Sequence, residues 1–153
     1  MARLEPGTRA PTFTLSDQDG TSVSLADLAG ERVVLYFYPA DDTPGCTTEA
    51  CQFNDALAQF RGLSARVLGV SPDDAASHRA FRAKYGLDFD LLSDPTRATM
   101  ESYGAYGEKT LYGKKVLGVI RSTFVIGPDG RAEHAFYGVR ANGHAQRVLA
   151  ALD

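Results

Sequence analysis

Val33-Val34-Leu35-Tyr36-Phe37-Tyr38 is apolar or aromatic at every position and empties into the turn-forming string Pro39-Ala40-Asp41-Asp42-Thr43-Pro44-Gly45. Such a run has no polar face to show to water, so it predicts a central strand covered on both sides. That confines the chain to architectures with a layer above the sheet and a layer below it. Directly after the turn the period changes. Cys46, Ala50, Phe53, Leu57 and Phe60 recur at alternating spacings of four and three, an apolar stripe that predicts a helix from Pro44 to about Phe60. Thr43 suits the N-cap and Pro44 the first helical position, which puts Cys46 in the first turn.

The same alternation continues along the chain. Arg66-Val67-Leu68-Gly69-Val70 is a second buried strand, and Ser71-Pro72-Asp73-Asp74 supplies a cap, a proline and two acids for a helix running to about Tyr85. Phe89 to Leu92 reads as a strand, Pro95 to Tyr103 as a short helix, and Tyr106 to Lys115 as a polar loop. Val116 to Ile120 and Ser122 to Ile126 lead through Gly127-Pro128-Asp129-Gly130 into a returning arm, Ala132 to Tyr137, and Gly143 to Leu152 forms a closing helix. Before all of these, Thr12 to Leu15 and Thr21 to Leu25 flank Asp17-Gln18-Asp19-Gly20 as an N-terminal β-hairpin. The expected fold is α/β, with one sheet covered by helices on both faces. Residues 1–153 are expected to form a single domain.

The chain has 153 residues, 44% of them apolar and 23% charged, with a net charge of −3. These values fit a soluble globular protein and give no basic surface for nucleic acid. Met1 to Gly7 carries no leader pattern and no run is long enough to span a bilayer, so the expected compartment is the cytoplasm. There, two cysteines point to catalysis or metal binding before structure. His78, His134 and His144 have no spacing, to each other or to the cysteines, that would build a zinc site.

Cys46 and Cys51 are the only cysteines. A cysteine at a helix N-terminus, beyond the end of a central strand, is placed to be held as a thiolate by the helix dipole and free backbone N–H groups. Position alone leaves two readings of Cys46: a redox nucleophile, or a small buried residue on the apolar stripe. Asp41, Asp42 and Glu49 would each disfavour a thiolate if they lay close. A cation is therefore wanted. None lies between Arg32 and Arg61, so it must come from elsewhere in the fold.

Pro39-x-x-x-Thr43-x-x-Cys46 matches the active-site motif of the peroxiredoxins, and Phe37 to Cys51 resembles their bacterioferritin comigratory protein branch, also called peroxiredoxin Q. The likeness continues through Val70-Ser71-Pro72-Asp73 with Ser77-His78, Leu91-Leu92-Ser93-Asp94-Pro95, and Gly118 to Ile126. The resemblance implies a thioredoxin-like fold with a central mixed sheet, and a thiol peroxidase that needs no cofactor or metal. It implies that Cys46 is the peroxidatic cysteine, that Thr43 places its hydroxyl between thiolate and peroxide, and that Pro39 shields the nucleophile. It also makes Arg121 the missing cation; Arg140 matches the family pattern less closely.

Cys51 would then be the resolving cysteine, with an idle thiol as the other reading. The implied cycle reduces hydrogen peroxide and organic hydroperoxides through a Cys46 sulfenic acid and a Cys46–Cys51 disulfide, reopened by a thioredoxin-like dithiol protein. The protein is expected to be a monomer or weak dimer. On an intact helix, five residues separate Cα atoms by roughly 8.7 Å, whereas a disulfide tolerates about 7 Å. The first turns must therefore unwind for the bond to form. The competing functions are a general thiol–disulfide oxidoreductase, for which the CxxC pair is missing, and a non-catalytic binding or chaperone-like module on the same fold.

Overall fold

The computed structural model describes residues 3–152. Met1 and Ala2, where the segment expected to carry no leader begins, and Asp153 lie outside the described residues. The central strand β3 spans Arg32–Phe37 and is flanked by β4 (Ala65–Ser71) in parallel and β8 (Ser122–Ile126) in antiparallel register. Strand β5 (Asp90–Ser93) runs parallel to β4, and β9 (Ala132–Phe136) closes the far edge antiparallel to β8. The expected N-terminal hairpin is β1 (Thr14–Ser16) with β2 (Ser22–Ser24), and it extends the other edge through β5. The mixed sheet has the order β2-β1-β5-β4-β3-β8-β9.

The period-two alternation of β3 divides the core. Val34, Tyr36 and Tyr38 face a layer built by α1 (Pro44–Asp55), α2 (Leu57–Gly62), α3 (Ala75–Tyr85) and α5 (His144–Leu152). Val33, Leu35 and Phe37 face α4 (Ala98–Ser102), the 3-10 turn Ala26–Leu28 and the N-terminal segment. Both faces are covered, as the apolar run requires.

Four local expectations need correction. The helix from Pro44 does not continue to Phe60: Ala56 leaves helical geometry (φ −95°, ψ 3°), and the bend seats Leu57 and Phe60 in the core as a separate helix. Ser71 belongs to β4, and the cap of α3 is Asp74, whose carboxylate accepts the Ser77 N–H at 2.9 Å. Helix α4 starts at Ala98 because Pro95 and Thr96 lie in a turn held by the buried Asp94, which accepts the Met100 N–H. The segment Tyr106 to Lys115, expected as a polar loop, holds β6 (Tyr106–Leu111) and the first residues of β7 (Lys114–Val119), which pair as a hairpin. The hairpin forms a separate two-stranded sheet with Leu111, Tyr112 and Leu117 exposed and only its base, Tyr106 and Val119, packed on the core, so little of it imprints an apolar alternation.

Candidate active site

Register explains how the distant residues meet. Phe37, the last residue of β3, pairs with Ser122, the first of β8. Arg121 therefore enters the sheet beside the point where the chain leaves it for Pro39, and the Val139 N–H donates to the Arg121 carbonyl at 3.0 Å. Its guanidinium crosses to α1. Nη2 lies 3.4 Å from Cys46 Sγ, and Nη1 donates to Glu49 Oε1 at 2.5 Å.

Cys46 sits in the first turn of α1, 2% exposed, with the Thr47 N–H closing the first helical bond onto the Thr43 carbonyl at 2.8 Å. Thr43 occupies the N-cap, but its hydroxyl does not cap the helix. Oγ1 instead donates to the Ala40 carbonyl at 3.0 Å. Pro39 is half-buried and begins the loop that carries Thr43. Both cysteines are free thiols, and Cys51, partly buried, lies on the same unbroken helix. Burial, with the Asp55 carboxylate adding, raises the Cys51 thiol above its ordinary value. Arg140 is exposed.

Of the three acids that would disfavour a thiolate, Asp41 and Asp42 are paired elsewhere and Glu49 shares Arg121 with Cys46. Asp41 accepts from the Tyr38 hydroxyl at 2.5 Å and the Ser77 hydroxyl at 2.8 Å, and lies 2.6 Å from His78 Nδ1. Asp42, in left-handed backbone geometry (φ 57°), takes Lys84 and the Tyr85 hydroxyl. Glu49 is fully buried on Arg121, with Oε2 unpartnered. Burial pushes its carboxyl up to about 7 against the pull of Arg121. Burial also works against the Arg121 charge, but Glu49 and Cys46 beside it hold the guanidinium firmly protonated.

In the sequence Glu49 reads only as a possible repellent. Its spacing of three from Cys46 on one helix was the available signal, since residues i and i+3 share a face. Among the described residues, no group of three or more His, Cys, Asp or Glu is arranged to hold a metal ion. Among those residues, too, no helix is long and apolar enough to cross a membrane.

Comparison with known proteins identifies the family. Residues 6–135 match the AhpC/TSA family. A putative peroxiredoxin of Mycobacterium tuberculosis is 53% identical over 95% of this chain and 93% of its own. The putative peroxiredoxin bcp of Helicobacter pylori is 49% identical over 99% of this chain and 100% of its own. Among solved structures, the bacterioferritin comigratory protein of Xanthomonas campestris, studied for alkyl peroxide reduction in trapped intermediate and ligand complexes, superposes with a TM-score of 0.89. It is 43% identical, with 97% of each chain covered. With sequence likeness running nearly end to end and the same fold beneath it, the chain belongs to the AhpC/TSA family, in the bacterioferritin comigratory protein, or peroxiredoxin Q, branch of the peroxiredoxins.

Proposed function

We propose that this peroxiredoxin reduces hydrogen peroxide and organic hydroperoxides at Cys46, using Thr43, Arg121 and Pro39 around the thiol and Cys51 to resolve it. The observation that carries the reading is Arg121 Nη2 at 3.4 Å from a sulfur only 2% exposed. A fixed cation beside the sulfur can pair with the attacking thiolate and offers further N–H donors to a bound peroxide. The thiolate attacks the terminal oxygen, the O–O bond breaks, and the alkoxide or hydroxide leaves with a proton as alcohol or water. Cys46 is left as a sulfenic acid. Thr43, its own proton engaged by Ala40, presents oxygen lone pairs to the peroxide O–H, and Pro39 limits access of water.

Cys51, kept as a thiol by partial burial and Asp55, does not compete for peroxide. Once α1 opens, its sulfur attacks the Cys46 sulfenic acid, expelling water and forming the disulfide. A thioredoxin-like dithiol protein then reduces that bond by exchange and is itself oxidised. The whole chain acts as one domain, as a monomer or weak dimer. Recycling by a dithiol protein suits a reducing compartment, the cytoplasm.

The test is mass spectrometry and coupled turnover in two variants. Cys46→Ser should lose peroxide reduction entirely. Cys51→Ser should oxidise once to the sulfenic acid and fail to recycle. Activity in Cys46→Ser would overturn the assignment, and full coupled turnover in Cys51→Ser would remove Cys51 from the cycle.

A further inference from the structure

We infer that Asp73 is a positioning residue for the peroxide chemistry: its carboxylate fixes the Ala40–Asp41 peptide plane, and that plane aims the Thr43 hydroxyl. The inference rests on the role given to Thr43 above. Ala40 O and the Asp41 N–H belong to one rigid peptide unit, so holding one end sets the direction of the other. Asp73 Oδ2 accepts the Asp41 N–H at 2.7 Å, and on the opposite edge the Ala40 carbonyl accepts the Thr43 hydroxyl at 3.0 Å. Asp73 is itself fixed from the sheet. Oδ2 also accepts from Ser71 Oγ at 2.8 Å, and Ser71 is a fully buried residue ending β4 beside β3.

The neighbouring anchors separate this task from merely holding the loop. The Asp41 side chain is docked by Tyr38, Ser77 and His78, and the far ring nitrogen of His78 lies 3.0 Å from the Leu92 carbonyl. Asp42 is held by Lys84 and Tyr85. With those contacts intact, removing the Asp73 carboxylate leaves the loop in place but frees the peptide plane to rotate, which lets the Thr43 hydroxyl turn away. Ser71-Pro72-Asp73 thus reaches the chemistry through one backbone plane and not by touching substrate.

The experiment measures the second-order rate of Cys46 oxidation by hydrogen peroxide in Asp73→Ala, Asp73→Asn, Thr43→Val and the Asp73→Ala/Thr43→Val double variant. Asp73→Ala should lose on the order of tenfold, the effect of one lost hydrogen bond, and Asp73→Asn, which keeps an acceptor oxygen, should regain most of it. In the Thr43→Val background Asp73→Ala should cost nothing further, since the two act through one hydroxyl. Alkylation of Cys46 by iodoacetamide should be unchanged in Asp73→Ala, because the loop stays docked. A wild-type rate in Asp73→Ala, an undiminished loss in the Thr43→Val background, or faster alkylation would each overturn the inference. A loss in Thr43→Val with none in Asp73→Ala overturns this inference alone; a wild-type rate in Thr43→Val overturns it together with the role proposed for Thr43.

Discussion

Arg121 and Cys46, seventy-five residues apart in the chain, lie 3.4 Å from each other because β8 begins where β3 ends. The same guanidinium is anchored on its other arm by the buried Glu49. Two arms at fixed angles are what a planar fork supplies and a single ammonium does not. Glu49 holds the fork still, so in the proposed mechanism the donor is preorganised before peroxide arrives.

Arg121→Lys should therefore keep the charge and lose the geometry. Loss of a preorganised donor of this kind costs on the order of a hundredfold in rate. The melting temperature should fall only modestly, because a lysine ammonium can still meet Glu49. Stopped-flow oxidation of the variant by hydrogen peroxide checks the rate, and an unaltered second-order constant would take Arg121 out of the site.

Gly45 offers a sharper probe of the same contact. A Cβ at this position would stand 3.2 Å from Arg121 Nη2, so the guanidinium must give by a few tenths of an ångström. Alanine also favours the helix over glycine by up to about 1 kcal/mol. Gly45→Ala should thus slow peroxide reduction several-fold while leaving thermal stability equal or higher. Equal rates in the two proteins would mean that Arg121 tolerates displacement and that its placement matters less than its charge.

Much of this arrangement is legible in the residues themselves. The apolar runs at Val33 and Arg66 announce the central strands because burial on both faces leaves nothing polar to hide. Cys46, Ala50 and Phe53 mark the buried face of α1. The break at Ala56 escapes detection because Leu57 and Phe60 keep the apolar phase across the bend. Strand β6 and the first residues of β7 escape because most of their side chains are exposed or only half-buried. Arg121 becomes visible only through its family string, since its partner is brought to it by strand register and not by spacing. Asp73 reads as an acid opening a helix and Asp41 as a charge opposing a thiolate, and only the fold reveals that they clamp the loop before Cys46.

Two buried groups give stability opposite dependences on pH. Glu49 has its carboxyl raised by burial from an ordinary 4.5 to about 7, so the stability tied to its neutral form is present below 4.5 and is lost as pH rises through about 7. His144 is fully buried, its Nε2 2.7 Å from Thr123 Oγ1 and its Nδ1 unpartnered. Burial, with Arg147 and Arg121 adding, lowers it from 6.5 to about 4, so its contribution is present above 6.5 and is lost as pH falls through about 4. In urea titrations from pH 4 to 8, Glu49→Gln should gain on wild type as pH rises, and His144→Asn should gain as pH falls. Differences that stay flat across the range would show that neither group changes its proton affinity on folding.

The last prediction concerns which thiol travels. The second half of α1 is pinned on two sides: Gln52 donates to Asn142 and accepts the Gly143 N–H, and Asn54 donates to the Gly86 carbonyl and accepts the Asp88 N–H. Between them Phe53 stacks on Tyr36 with ring centres 4.6 Å apart. The first half is held by burial of Cys46, Glu49 and Ala50 and by the single guanidinium of Arg121. Oxidising Cys46 changes the sulfur that Arg121 contacts at 3.4 Å, and among the described residues the first half has no side-chain anchor besides that guanidinium, so it is the part free to unwind. Cys46 should then move to Cys51 and not the reverse, because the roughly 8.7 Å spacing on an intact helix exceeds the disulfide limit. Hydrogen exchange on the reduced and disulfide forms should show protection lost from Thr47 to Cys51 and kept from Phe53 to Asp55. Equal, strong protection from Thr47 to Phe53 in both forms, with the disulfide confirmed by mass, would overturn this account and mean that the cysteines pair between molecules.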